Sequence, residues 1–510
     1  MVSMQGTSDP NSELLDAMAM CGHLVARDSV HWFLAEHRQR LFPDDMFADL
    51  FASGRGRPSV PADVIATVMV LQALEGLSDR DAIGQLRNSI SWKVAAGRSL
   101  ADEGFHATVL TLWRNKLRAS DRPQRIFDAV REVIDATNVL AGKTRRALDS
   151  TVLDDAVTRQ DAIMQLVAQI RRVRRLIPAA KALELVAHDY DNDPSKPACA
   201  WNDRADIDRV VTELVIDAGT ILAVLDGVEL DDVQAEAVGL LALVAGQDVE
   251  PGDQDGTWRI AQITRPDRIV SVVDPESRHV HKTHHNYRDG FKAHIGVEPD
   301  TGLITACELT AGNVGDAQAA PALLAGETAP VEVLADSAYG SGGFRRHLAE
   351  HGHTATIKPI PLNPAVAGGF SIDDFTIDTA AGIVTCPNGI TTRISARGWA
   401  TFGAKCRGCP IRDRCTTAID GRIVKVHDHH DLLAAARAHA LTAEFQQPYR
   451  QHRPMVERSI AWLVRQGGRK VRYRGIARNR IGFAHRCAAV NLRRLVNLGI
   501  GWDNGWMIAT

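Results

Sequence analysis

No stretch of about 18 uncharged apolar residues occurs in the chain, so no transmembrane helix is expected. The opening residues, Met1 to Glu13, carry no basic segment followed by an apolar run, and no secretory signal is expected. Eight cysteines among 510 residues are too few for a disulfide scaffold, which makes a reducing cytoplasm the expected setting. There is no internal repeat and no convincing nucleophilic Ser or Tyr constellation, so covalent catalysis has no candidate. A strong net charge is missing too. The sum is −3, and taken as a total it argues against a nucleic-acid protein. What is present is 45% hydrophobic and 24% charged, which excludes wholesale disorder. The length suits about three domains with cores of ordinary size.

The total conceals its parts. From Gln446 to Ile500, thirteen Lys and Arg stand against one acid, Glu457, a local charge of +12, so the remainder must sum to −15. From Trp201 to Ile260, fourteen acids face three Arg, a net of −11. The basic run includes Arg450, Arg453, Arg465, Lys470, Arg472 and Arg474, interleaved with Tyr449, Trp462 and Tyr473. Such density suits a phosphate-binding surface, because each neutralised phosphate releases condensed counterions. A solvated Arg-rich helix is the plain alternative. One acid standing alone inside the basic run points instead to a site.

Apolar spacing predicts helices across residues 26–140, with Ser78 opening one and Gly76 closing the one before it. Arg145 to Val152 reads as a strand. Asp155 to Ala245 is helical and turns acidic. Beyond it Ile269–Val273, Phe291–Val297, Leu303–Leu309 and Val331–Ala335 read as strands, the middle two joined by a hairpin turn at 299–302. Residues 360–430 are rich in Gly, Pro and Thr and hold half the cysteines, and helix returns after them.

Three acids stand out by context. Asp149 ends an apolar strand run. Asp336 ends the run from Val331 and delivers a carboxylate into a glycine-rich loop. Glu457 sits beside an apolar helical face made by Val456, Ile460, Leu463 and Val464, with Arg450 and Arg453 seven and four residues before it. Pro454 either lies within that helix or starts it. Three carboxylates on separate elements can hold two divalent ions roughly 4 Å apart, and oxygen-only ligands suit Mg2+ or Mn2+.

Seven stretches, in order, resemble the DDE transposases of bacterial insertion sequences: GRPSVPADVIATVMVLQALEGLSDRDAI, LDSTVLDDAV, RIVSVVDPESRHVHKTHHNYRDGFKAHIGVEPDTGLI, LTAGNVGDAQAA, VLADSAYGSGGFRRHL, CRGCPIRDRC and YRQHRPMVERSIAWL. The resemblance covers about residues 30–500. It implies an α/β fold with an RNase H-like catalytic core, an all-helical N-terminal domain, a helical insertion and a small Cys-rich β module. It implies Asp149 as the first catalytic acid, Asp336 as the second and Glu457 as the third. Arg453 and Glu457 fit the family's Tyr-Arg-Glu signature. Tyr449 stands one residue too far from Arg453, and the signature's Lys falls on Val464, beside Arg465.

Cys386, Cys406, Cys409 and Cys415 form a second constellation. Four thiolates can close a tetrahedral Zn2+ site, and the alternative is unliganded or redox thiols. His279, His281, His284 and His285 read as a polar loop near the cleft rather than a metal site. Asp274 and Asp289 are back-up carboxylates, while Asn313 and Asp316 are expected to shape a turn.

These readings predict a helical DNA-binding domain at 26–140 and a catalytic domain at 141–500, interrupted by an acidic helical insertion at 155–255 and a Cys-rich insertion at 365–430. The expected function is metal-dependent cleavage of double-stranded DNA at an element's terminal inverted repeats, followed by joining of the 3′-OH to target DNA. A homodimer on DNA, no membrane, and a cytoplasmic, nucleoid-associated setting go with it. The rivals are a catalytically inactive, transposase-derived DNA-binding protein and a zinc-dependent interaction module.

Overall fold

The computed structural model describes residues 5–8, 15–51, 58–263, 265, 267–283 and 286–508. The start of the first resembling stretch, at 56–57, lies outside the described residues, as do His284 and His285; the side chain of His281 is not described either.

After a short helix at Ala17–Cys21, the longer helices that precede the sheet among the described residues are α1 (Val30–Leu41), α2 (Ala62–Glu75), α3 (Asp79–Asn88), α4 (Ile90–Ala96), α5 (Thr108–Ala119) and α6 (Arg125–Ala136). Ser78 caps α3 by accepting from the Asp81 N–H at 3.1 Å, and Gly76 closes α2 in the left-handed conformation that glycine adopts without strain. Every residue of α2 from Ala62 to Gln72 is buried. A helix that is apolar all round belongs at the centre of a bundle, and α2 lies there.

The strands that follow build one mixed sheet: β1 (Arg145–Asp154), β2 (Arg278–Thr283), β3 (Asn286–Val297), β4 (Ile304–Ala311), β5 (Glu332–Ala335) and β6 (Thr354–Ile357). Its order is β4-β3-β1-β5-β6, with β2 pairing the first half of β3. β1 is antiparallel to β3 and parallel to β5, which is parallel to β6. Successive side chains point to opposite faces. Ala147 and Leu153 therefore join an apolar cluster with the N-terminal helices, whereas Leu148 joins Val333, Ala335 and Tyr339 against α10 (Asp316–Leu324) and α11 (Gly342–Glu350). The first cluster runs without a break from Val30 to Leu495, so the N-terminal helices and the sheet share one core.

Between β1 and β2 lie α7 (Ala162–Leu176), α8 (Arg204–Leu225) and α9 (Asp232–Gln247), which pack around their own apolar cluster. The run Ile269–Val273, expected as a strand, makes only one isolated bridge, at Ile269. Glutamine side chains take over its backbone groups: the Ile269 N–H donates to Gln247 Oε1, Gln165 Nε2 donates to the Ile269 carbonyl, and the Val272 N–H donates to Gln160 Oε1. Satisfied that way, the segment needs no ladder.

After β6 come short strands around a small cluster containing Phe375, Val384, Phe402 and Cys415. The chain then forms α12 (His430–His439), α13 (Ala443–His452), α14 (Pro454–Leu463) and α15 (Ile476–Asn497). Pro454 starts α14, where a missing N–H costs no helical bond. Helix α15 lies against α2, α6 and β4. Among the described residues no helix is long and apolar enough to cross a membrane.

Candidate active site

Asp149, Asp336 and Glu457 arrive from three elements. Asp149 lies midway along β1, opposite Ile295 of β3, and its side chain is 15% exposed. Its Oδ1 accepts from the Ser150 N–H at 2.8 Å. Asp336 follows the last residue of the neighbouring parallel strand β5 and caps the turn at Ser337–Tyr339, accepting from the Ala338 N–H at 2.9 Å. Glu457 lies in the first turn of α14, with its side chain 64% exposed.

What joins them is Arg453, at the junction of α13 and α14. Its Nη2 lies 3.2 Å from Asp149 Oδ1 and 3.9 Å from Asp336 Oδ2, and its Nη1 lies 3.5 Å from Glu457 Oε1. The guanidinium is buried, and its Nε and Nη1 have no hydrogen-bond partner. Burial pushes the Asp149 carboxyl above the usual carboxylate range, against the pull of Arg453 and the Ser150 N–H. Tyr449 is half-buried over the same cluster, its ring stacked 5.4 Å from Phe445. The Arg453 N–H donates to the Tyr449 carbonyl, so α13 runs regularly between them. A four-residue step along a helix returns to the same face. The extra residue in the signature therefore leaves Tyr449 beside Arg453, and burial raises its phenol above the ordinary range.

A polar group that sequence reasoning passed over lies on the opposite face of the sheet. Asp316, expected only to shape a turn, opens α10 and accepts from Ser150 Oγ at 2.9 Å. Lys292 Nζ is 3.2 Å away and His294 Nδ1 3.7 Å. His294 is fully buried, and burial lowers its pKa to about 4 against the opposing pull of Asp316. The Tyr339 hydroxyl is also buried and without a partner. The signal was in the alternation of Lys292 and His294 on β3, which puts both on the face of Ser150.

The back-up carboxylates have other tasks. Asp274 accepts from the Gly475 N–H at 3.1 Å and Glu276 Oε2 accepts from the Ile476 N–H at 2.8 Å, together holding the start of α15. Asp289 bridges Arg159 and His279. Asn313 donates to Asp267 at 2.7 Å.

Of the basic candidates, Arg450, Arg465, Lys470 and Arg474 are exposed. The Arg465 guanidinium lies 4.8 Å over the Trp462 ring, which Arg493 also covers at 4.8 Å. Arg472 differs: it donates to the Gly76 and Leu77 carbonyls at the end of α2. Cations at a helix C-terminus satisfy orphan carbonyls and oppose the dipole. Arg472→Ala is therefore expected to lower stability by about 1 kcal/mol in a urea melt. Lys470→Ala and Arg474→Ala are each expected to flatten the slope of log DNA affinity against log salt by about one unit. Unchanged slopes in both would remove them from the DNA surface.

Cys386, Cys406, Cys409 and Cys415 line one small cavity together with Phe402 and Arg422. Burial pushes the Cys415 thiol up, and the three other thiols add to the push. Among the described residues no group of three or more His, Cys, Asp or Glu side chains is closed up into a metal-holding cluster. In the acid site the donor chemistry suits a hard cation: three carboxylates each lie within 3.9 Å of the Arg453 guanidinium, which already supplies positive charge there.

Residues 27–116, from α1 into α5, match the family model described as Transposase domain (DUF772), and residues 385–496 match the one described as Transposase DDE domain. The second match includes Arg453 and Glu457; Asp149 and Asp336 lie outside both. No curated protein and no solved structure was found to match the chain. Together the two matches support a DDE-type transposase of an insertion sequence.

Proposed function

We propose that the chain cleaves DNA at the ends of its insertion sequence and joins those ends to target DNA. The observation that carries this is the convergence of Asp149, Asp336 and Glu457 on one buried guanidinium, in a chain that matches transposase family models at 27–116 and, around Arg453 and Glu457, at 385–496. The sheet order, with β1 parallel to β5 and β5 to β6 and with β3 antiparallel to β1, supports an RNase H-like core. In that reading residues 26–140 recognise the terminal inverted repeats. Residues 141–500 form the catalytic domain, with insertions at 155–255 and 365–430.

Asp149, Asp336 and Glu457 would hold two Mg2+ or Mn2+ ions, which when bound make a water or 3′-hydroxyl nucleophilic and take up charge on the leaving oxygen. Asp149 sits on β1 and Asp336 directly after the adjacent parallel strand β5, so the sheet fixes their separation, and α14 brings Glu457 over them. Tyr449 and Arg453 orient the scissile phosphate; Arg450, Arg465, Lys470 and Arg474 bind flanking phosphates. Water attacks phosphorus at the element end and the 3′-oxygen departs with a proton. The freed 3′-hydroxyl then attacks a target phosphodiester, whose own 3′-oxygen leaves. Pairing two ends calls for a homodimer on DNA, acting in the cytoplasm on the nucleoid. Three acids gathered in place speak against a chain that has lost its chemistry.

The test is incubation of the full chain and Mg2+ with a plasmid carrying the element's ends. Cleaved ends and joined products are expected; neither, across Mg2+ and Mn2+, would refute the reading.

The four cysteines would hold one Zn2+ and stabilise the β module, whose own apolar cluster is small. Elemental analysis is expected to find about one zinc per chain. Cys406→Ser is expected to lose it and to melt on the order of 5 °C lower. Metal-free protein with an unchanged melt would end the idea.

A further inference from the structure

Arg453 is bound in an unusual way. A guanidinium carries five N–H donors in a planar fork and normally meets carboxylates edge-on at hydrogen-bond distance. Here the three carboxylate oxygens lie at 3.2, 3.5 and 3.9 Å, and buried Nε and Nη1 donate to nothing. The group is held as an ion at the centre of an acid cluster, with donors left over. A buried donor without a partner costs free energy, so this arrangement is poised for a better acceptor. Its backbone stands where α13 meets α14, one residue before Pro454.

We propose that Arg453 is a resident counter-ion, which neutralises the acid cluster while the protein is free of DNA and transfers to a DNA phosphate when divalent metal enters. This deepens the proposed function and rests on its assignment of the acids as metal ligands. Three carboxylates can be neutralised by the guanidinium in part, or by divalent ions more fully. Both together place like charges a few ångströms apart in a partly desolvated site, which Coulomb repulsion opposes. A phosphodiester oxygen offers the orphan donors the acceptor they lack and draws the guanidinium out of the ions' place. Metal and DNA thus bind cooperatively, because each displaces the same group. Metal alone binds weakly, which keeps the free protein from cutting before an end is seated.

The coupling is reciprocal and is measured from either side. Mn2+ binding to the full-length, DNA-free protein is followed by the spectroscopic signal of unbound Mn2+. Arg453→Gln is expected to bind Mn2+ about tenfold more tightly than wild type, and Arg453→Lys, which keeps the charge, to resemble wild type. Glutamine binding no tighter than wild type overturns the counter-ion role. Asp336→Asn serves as the separate control. Mn2+ binding unaffected by that change defeats the metal-site assignment itself, and this inference with it. Should Arg453→Gln not fold, wild type decides: at fixed ionic strength, Ca2+ is expected to raise affinity for a labelled duplex about tenfold. Equal affinity with and without Ca2+ overturns the proposal.

Discussion

Asp336→Asn is expected to reduce cleavage of an end-bearing DNA by about three orders of magnitude or more, and to leave the unfolding free energy from urea melts within about 0.5 kcal/mol of wild type. The two halves of that expectation come from different atoms. The carboxylate's lost charge is what a divalent ion would need, and an amide oxygen replaces it poorly. Oδ1, rather than the Oδ2 nearest Arg453, accepts from the Ala338 N–H, and asparagine caps such a turn as well as aspartate does. The side chain is 43% exposed, so little desolvation changes. Glu457→Gln should behave alike, being 64% exposed at the start of α14. Asp149→Asn is less clean, because that carboxylate is mostly buried against Arg453. Single-turnover cleavage and strand-transfer assays beside equilibrium melts separate activity from folding. Asp336→Asn or Glu457→Gln retaining wild-type cleavage would remove that residue from the chemistry.

Gly290→Ala is expected to cost about 3 kcal/mol of stability and to slow cleavage about 100-fold in whatever protein folds. Gly290 pairs with Asp154 of β1 on one side and with Arg278 of β2 on the other. A methyl group there would stand 2.1 Å from the Leu153 carbonyl oxygen and 2.8 Å from the Asp155 nitrogen. Both are backbone atoms, so no side chain can turn aside and the strand must move. That strand carries Asp149 five residues away, and a misplacement of about 1 Å in a catalytic group is enough for such a rate loss. Gly312 is closed in the same way, by Val280 and by the Gly290 carbonyl. Gly239, within α9, has open space around it. Gly239→Ala is the matched control and should gain roughly 0.5–1 kcal/mol from helix propensity. Equal melts for the Gly290 and Gly239 variants would contradict the close approach.

Much of the fold was legible because its cause is local. The apolar alternation of β3 and β4, the Ser78 cap and the Gly76 stop all act within a few residues, and the structure has them in place. Readings weakened where the partner is remote. Ile269–Val273 had the composition of a strand, but glutamines from α7, α9 and residue 160 bond its backbone. Asp274 stood out only as a back-up carboxylate, and no local pattern showed that it holds Gly475, 201 residues away. Arg472, in the most basic part of the chain, also reaches the end of α2, across 395 residues, which no local pattern foretold.

The acids divide along the same line. Residue order alone singled out Asp149, Asp336 and Glu457 from 62 carboxylates, through strand ends, a glycine-rich loop and a basic neighbourhood. It also placed opposite charges in separate segments, so that a total of −3 conceals a basic surface. Only tertiary structure decided that Arg453 stands among all three acids, that Tyr449 keeps their company despite its spacing, and that Asp316 braces Ser150 from beneath the sheet. The reason is physical. A backbone conformation is set by neighbours a few residues away, whereas the state of a carboxylate is set by burial and by charges within a few ångströms, which the packed chain brings from anywhere along its length.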